Sequence, residues 1–203
     1  MTNGPTGRMD FNADIGESFA GYELGLDSEI VKYITSANIA TGFHAGDPDW
    51  MARTVSLAVE NGVGIGAHPA YPDLGGFGRR NMDLTPDEVS NAVTYQVGAL
   101  AAFAPARKLQ HVKPHGALYN TAVRDADVAE AVVSAIKAFD PELIHVVLAG
   151  SQWEEIARNH GVRVARECYA DRAVTPQGTL VPRSQPGAVI HEPEAVLDRS
   201  LKL

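Results

Sequence analysis

Short apolar runs alternate with longer amphipathic segments along almost the whole chain. Several of the runs are apolar on both faces, as in Ile-His-Val-Val-Leu at 144–148. Strands of this kind are typical of a parallel sheet that is covered by helices. The predicted strands are 9–13, 36–41, 63–67, 109–113, 143–149 and 162–167.

The segments between these strands carry signals for the start of a helix. Side chains that cap helices, or a proline suited to the first turn, precede each amphipathic segment. Thr85 and Ser151 are each followed three residues later by glutamate, which predicts two capping boxes. The predicted helices begin at or beside Asp47, Thr85, Asp125, Ser151 and Pro193.

The resulting order is strand then helix, repeated about six times without a linker. Both an open doubly wound sheet and a (β/α) barrel have this order. The chain lacks a G-x-G-x-x-G pattern after its first strand and lacks G-x-x-x-x-G-K-[ST] throughout, which favours the barrel. We therefore expect a flexible tail over 1–8 and a single (β/α) barrel-like α/β domain over 9–203.

The composition limits the classes of partner. The 203 residues carry a formal net charge of −8 without a local basic patch, so we expect neither nucleic acid nor a membrane as partner. No apolar stretch reaches the ~18 residues that a bilayer span needs. One cysteine excludes an internal disulfide, and a cytoplasmic protein is expected. The oligomeric state stays open, a homo-oligomer included.

Ionisable side chains recur where the predicted strands end. Reactive groups of parallel α/β folds lie at the carboxyl ends of strands, so these side chains are expected to meet in one pocket for a small molecule. A single aspartate at a strand end is often only a cap, but three histidines in equivalent places are harder to explain in that way. The candidates are Asp14, His44, His68, His115 and Glu167.

Two further features of this rim allow more than one interpretation. Lys113 can hold a carboxylate or phosphoryl oxygen, and as a residue of the rim it is expected to add little to stability. The loop 69–80, rich in glycine, proline and aromatic residues, fits either a lid or an ordinary long loop. Whether a metal is tightly bound is also open; if one is present, the expected ligands are Asp14, His44, His68 and His115.

Five motifs in order resemble the LamB/YcsF family. They are Asn-Ala-Asp-Ile-Gly-Glu at 12–17, Gly-Phe-His-Ala-Gly-Asp at 42–47, Gly-Ala-His-Pro at 66–69, Gly-Phe-Gly-Arg at 76–79 and Lys-Pro-His-Gly-Ala-Leu-Tyr at 113–119. Ala-Asp-Arg at 170–172, followed by Leu-Val-Pro-Arg at 180–183, also matches. The resemblance runs from Met9 to the end of the chain.

The resemblance implies an irregular seven-stranded (β/α) barrel of the glycoside hydrolase/deacetylase type, whose seventh strand is missing from this chain. It also implies hydrolysis of 5-oxo-L-proline to L-glutamate by a multi-subunit 5-oxoprolinase. The implied cofactor is ATP with Mg²⁺, and the implied partners are 5-oxoprolinase subunits B and C.

The resemblance further implies roles for individual residues. Asp14 is the first candidate for the general base, and acid/base roles are implied for His44, His68, His115 and Glu167. Binding of substrate carboxylate or phosphate is implied for Asn12, Lys113, Arg172 and Arg183. Two alternatives stay open: a metal-dependent amide or acetyl hydrolase of the same barrel group, and a truncated, non-catalytic subunit that only binds its partners.

Overall fold

A computed structural model describes residues 9–175 and 178–202, and the predicted tail 1–8 lies outside them. The strands of this part are β1 (Asn12–Ile15), β2 (Ser36–Ala40), β3 (Gly64–His68), β4 (His111–Val112), β5 (Ile144–Leu148) and β6 (Arg163–Glu167). The helices are α1 (Asp27–Ile30), α2 (Pro48–Glu60), α3 (Pro86–Ala101), α4 (Gly116–Ala122), α5 (Ala126–Phe139), α6 (Gln152–Asn159) and α7 (Pro193–Ser200).

The six strands form one parallel sheet in the order β1-β2-β3-β4-β5-β6. Spatial order equals chain order, so every crossover moves in the same direction. A doubly wound sheet would instead reverse its order at a switch point. The sheet curls into a half-barrel, which confirms the predicted α/β barrel class. Among the described residues no strand pairing joins β6 back to β1.

The strands lie close to their predicted places, with one clear shift. The first strand was predicted at 9–13, but β1 begins at Asn12 and ends at Ile15. Residues before Asn12 are held differently, because Phe11 N donates to the Thr35 hydroxyl and Phe11 O accepts from Thr35 N. The shift leaves Asp14 inside the paired strand, opposite Asn38 of β2.

The helix signals are confirmed in most details. Thr85 forms the complete predicted capping box at the start of α3. Ser151 caps α6 by accepting from Glu154 N, but the second half of that predicted box is wrong. The Glu154 carboxylate accepts instead from Gly150 N and pairs with Arg158, one helical turn further on.

The outer face of the sheet is covered by apolar helix faces. α3 and α5 pack against each other, and their inward residues Val97, Leu100, Val132 and Ile136 are fully buried. This packing holds the strands in place, so the side chains at their carboxyl ends have fixed positions. Within the described part of the chain, none of the helices combines the length and apolarity that crossing a membrane requires.

Candidate active site

A cavity of about 350 Å³ lies at the carboxyl edge of the half-barrel. Asp14 on β1 and His68 at the end of β3 line it, together with Lys113 and His115 just after β4. Parallel strands deliver these groups to the same edge, as expected for an α/β site.

Asp14 is held by contacts to both of its oxygens. Oδ1 accepts from Asn38 Nδ2 at 2.9 Å and lies 3.4 Å from Lys113 Nζ, while Oδ2 lies 3.3 Å from His68 Nε2. Burial alone would raise the pKa of Asp14, but the charges of His68 and Lys113 and the hydrogen bonds outweigh it. The pKa is therefore well below its usual value, and Asp14 is an anion at neutral pH.

A chain of polar side chains inside the half-barrel fixes Asp14 from below. Asn38 donates to Asp14 and to Asn12 Oδ1, and its own Oδ1 faces His111 Nε2 at 2.8 Å. The His111 ring lies directly over Gly66 on the neighbouring strand, where any Cβ would collide with it. Glycine at this position thus leaves the space that the supporting network needs.

The hydrogen-bond partners of His68 and His115 determine which ring nitrogens carry hydrogen. His68 Nδ1 faces the Lys113 carbonyl at 2.6 Å, and His115 Nε2 faces the Phe77 carbonyl at 3.0 Å. Carbonyl oxygens only accept, so both of these nitrogens must be donors. In the neutral rings, lone pairs are then left on His68 Nε2 and His115 Nδ1, which face each other at 2.9 Å.

His44 and Glu17 lie behind this pair. The His44 ring is fully buried and stacks on His115 with centroids 3.9 Å apart, and its Nε2 is 3.0 Å from Glu17 Oε1. Burial first, then the charge of His68, lowers the pKa of His44 to about 2. Burial and the neighbouring His68 and His44 lower the pKa of His115 to about 3, while burial raises that of Glu17.

Lys113 does not lie at a solvated rim, so the reason for expecting it to add little to stability does not hold. Its side chain is only 5% exposed, and Nζ pairs with Glu167 Oε1 at 2.6 Å and bonds Asn12 Oδ1 at 3.0 Å. Burial opposes its charge, but Asp14, Tyr169 and Glu167 together raise the pKa of Lys113. The lysine is thus a buried cation in an ion-pair network.

Four arginine side chains, called the arginine wall below, also line the cavity. Arg79, Arg124, Arg172 and Arg183 all line it. Arg172 is buried and donates to the carbonyls of Val181 and Ala188, so it also holds the segment that carries Arg183. Several cations and the Asp14 carboxylate therefore line the same cavity.

The loop 69–80 packs over the histidines. Phe77 meets the rings of His44 and His115 edge-on, at 5.5 and 5.3 Å between centroids. Gly78 has a φ of +62° and lies against the Cβ of His44, and its carbonyl accepts from Ala117 N at 2.8 Å. Because of these contacts, the loop packs closely over the rings of His44 and His115.

The structure separates the sequence-derived candidates into two groups. Asp14, His68, Lys113, His115, Arg172 and Arg183 line the cavity. Three other candidates do not line the cavity and instead contact residues that do. His44 stacks on His115, and both Glu167 and Asn12 contact Lys113. The acid/base and binding roles of all of them stay predictions.

Sequence reasoning assigned no role to Glu17, Asn38 or Arg79. Asn38 had a usable signal, since it is a lone amide in the fully buried strand Ser-Ala-Asn-Ile-Ala. Glu17 stood inside a recognised motif, but only the folded loop shows that it turns towards His44.

A group of potential metal donors is present in the described residues. Glu17, His44, His68 and His115 each bring one donor atom, and all four atoms lie within 4.8 Å of one another. The set expected from the sequence contained Asp14 in place of Glu17. Asp14 approaches only His68 within this group, because Asn38 and Lys113 hold its other oxygen.

The fold and the site define a (β/α) half-barrel protein with a pocket of carboxylate, imidazole and cationic side chains at the carboxyl ends of its strands. Residues 9–203 match the LamB/YcsF family. The chain belongs to the LamB/YcsF family.

Three similar proteins can be named. The 5-oxoprolinase A subunit of Pyrococcus furiosus is 59% identical over 198 residues, which cover 97% of this chain and 78% of that protein. The 5-oxoprolinase A subunit of Syntrophobacter fumaroxidans is 58% identical with the same coverage. The crystal structure of the lactam utilization protein from Thermus thermophilus has a TM-score of 0.92 at 50% identity, and covers 96% of this chain and 80% of that one.

Proposed function

We propose that this chain is the lactam-opening A subunit of a 5-oxoprolinase, and that it converts 5-oxo-L-proline to L-glutamate together with partner subunits. The observation that carries the proposal is one pocket lined by an ionised Asp14, the imidazoles of His68 and His115 and four arginines. The similar proteins are named for 5-oxoproline and for lactams, which supports this substrate class.

The cationic wall suits an anionic ligand. The chain has a formal net charge of −8, so four arginines around one small cavity do not follow from its composition. 5-Oxo-L-proline carries a carboxylate, and a guanidinium binds carboxylate or phosphate oxygens in a bidentate manner. We assign substrate binding to the arginine wall. Arg183 is chosen for the test because it is exposed, unlike the buried Arg172.

Asp14 is proposed to hold the attacking water. Its low pKa makes it an ionised hydrogen-bond acceptor that keeps a proton only transiently. The water oxygen adds to the lactam carbon, the carbon–nitrogen bond breaks, and the water's proton ends on the amine of glutamate. These steps need only a carboxylate that accepts the proton from water and passes it on to the lactam nitrogen.

ATP is proposed to activate the lactam. An amide carbonyl is a poor electrophile, and the two ends of a five-membered ring stay close, which favours closure. Transfer of the γ-phosphoryl group from Mg²⁺-ATP to the amide oxygen releases ADP and activates the ring carbon. Water addition and cleavage of the carbon–nitrogen bond then give a γ-glutamyl phosphate, and a second water cleaves it to glutamate and phosphate. We assign ATP binding and this transfer to subunits B and C, and ring opening to this chain.

The test is an assay of the assembled enzyme. The chain is mixed with purified subunits B and C, 5-oxo-L-proline, ATP and Mg²⁺, and glutamate and phosphate are measured. We expect one phosphate per glutamate, and no glutamate when this chain is left out. Equal glutamate release without the chain would support a non-catalytic role, and ATP-independent cleavage of acetylated amines would support the alternative hydrolase.

Replacing Arg183 with glutamine should raise KM for 5-oxo-L-proline about 10–100-fold with little change in kcat, the loss expected for one charge-assisted hydrogen bond. The matched control is Arg163→Gln, because Arg163 is an exposed arginine at the opposite, amino end of β6. Steady-state kinetics of the assembled enzyme measures both. An unchanged KM for the Arg183 variant would remove Arg183 from the binding wall.

A further inference from the structure

Glu17, His68 and His115 form a cluster next to the cavity. Some of the contacts within this cluster are unfavourable unless a cation is bound there. In their neutral forms His68 Nε2 and His115 Nδ1 are both acceptors, yet they face each other at 2.9 Å. Glu17 Oε1 is a third acceptor and lies 3.4 Å from His115 Nδ1. Three electron-pair donors therefore lie close together in one small volume. A cation bound between them would remove their mutual repulsion.

A single proton does not satisfy all three atoms. A proton on His68 Nε2 would be donated to His115 Nδ1 and would relieve that contact alone. Glu17 Oε1 would still face a lone pair of His115, because the hydrogen of that ring is on Nε2 and is used by the Phe77 carbonyl. A divalent metal ion can accept an electron pair from each of the three donor atoms at the same time.

We propose that Glu17 Oε1, His68 Nε2 and His115 Nδ1 bind one divalent transition-metal ion of the Zn²⁺ class. Donors at about 2.0–2.1 Å from Zn²⁺ lie about 3.3 Å apart at the corners of a tetrahedron. Two of the three donor pairs, at 2.9 Å between the ring nitrogens and 3.4 Å from Glu17 to His115, are close to that edge length. The third pair, Glu17 and His68, lies within 4.8 Å.

The surroundings of the three donors fit a metal centre. Histidine ligands usually donate their second ring N–H to a carbonyl or carboxylate, and here His68 donates to the Lys113 carbonyl and His115 to that of Phe77. Two histidines and one glutamate with an open fourth position are a ligand set of hydrolytic zinc sites. Asp14 Oδ2 is 3.3 Å from His68 Nε2, so the proposed ligands border the carboxylate that lines the cavity.

His44 supports the site and is not itself a ligand. Its ring is stacked on His115 with an interplanar angle of 6°, so the two rings cannot both point their lone pairs at one ion. His44 Nε2 instead lies 3.0 Å from Glu17 Oε1, where it can donate and orient the carboxylate. The ion would act as a Lewis acid at the floor of the cavity, next to the water that Asp14 holds.

The proposal concerns metal binding by this chain and does not depend on the identity of its substrate. The purified, untagged chain is freed of metal with a chelator and titrated with Co²⁺ and with Zn²⁺ by calorimetry. We expect one ion per chain and visible absorption bands from bound Co²⁺. Glu17→Gln, His68→Gln and His115→Gln should each weaken binding by at least the about 10–100-fold that loss of a residue supporting a ligand typically costs.

The control for these variants is His191→Gln, since His191 is exposed and lies outside the cluster. It should bind like the unmodified chain. A metal X-ray absorption spectrum of the unmodified Zn²⁺-loaded chain provides a test that needs no variant, and it should show imidazole and carboxylate donors. Absence of one-to-one binding, a first shell without imidazole, or cluster variants that bind like His191→Gln would overturn the proposal.

Discussion

Replacing Lys113 with methionine should lower the free energy of unfolding by about 3–5 kcal/mol, the usual cost of removing one partner of a buried ion pair. Methionine keeps much of the length of the side chain but removes its charge. Glu167 is 6% exposed and would be left as a buried carboxylate without its partner at 2.6 Å. Denaturant titration followed by circular dichroism measures the loss.

Two further variants separate the charge effect from lost packing. Lys32→Met removes an exposed lysine whose partner Glu29 is also exposed, and should change stability by no more than about 0.5 kcal/mol. The double variant Lys113→Met/Glu167→Gln should lose much less than the sum of its single variants, because the stranded charge is gone. A Lys113→Met protein within about 1 kcal/mol of the unmodified one would contradict the buried pair.

Replacing Asp14 with asparagine should reduce kcat of the assembled enzyme by about 10²–10⁴-fold, the typical contribution of a positioned general base. Asparagine keeps the shape and can still meet Asn38, but its amide is a weaker acceptor for the attacking water. The Asp14 side chain is 37% exposed towards the cavity, so the fold should keep most of its stability.

The measurement for Asp14 combines turnover with a thermal melt of each variant. Asp198→Asn is the matched control, since Asp198 is exposed on α7 and should leave both quantities unchanged. A melting temperature that falls together with activity would identify Asp14 as a structural acceptor for Lys113 and Asn38. Near-normal turnover would remove it from the chemistry altogether.

The sequence indicated much of the site because parallel strands impose a common direction. Asp14, His68 and Lys113 stand at or near the carboxyl ends of three strands, and this direction alone brings them to one edge. The backbone order that selects a half-barrel was also predictable, since it follows from repeated strand and helix patterns. The family motifs lie at these same strand ends.

Burial and partner choice could not be derived in this way. Lys113 looks like a rim residue in the sequence, yet Glu167 comes from a strand two positions away in the sheet and draws it inside. Glu154 likewise follows the pattern of a capping box, but Arg158 and Arg166 take its carboxylate. Such outcomes depend on which charges meet in three dimensions.

By itself the sequence determined the strand and helix order, the helix starts and the set of residues delivered to one edge, because these depend on local periodicity and chain direction. Only the tertiary structure decided that Glu17 lies near His68 and His115, that Asn38 supports Asp14, and that four arginines line the same cavity as Asp14. Those contacts join residues up to about a hundred positions apart, as Lys113 and Asn12 are. Their geometry is set by core packing and desolvation, which no local pattern of residues specifies.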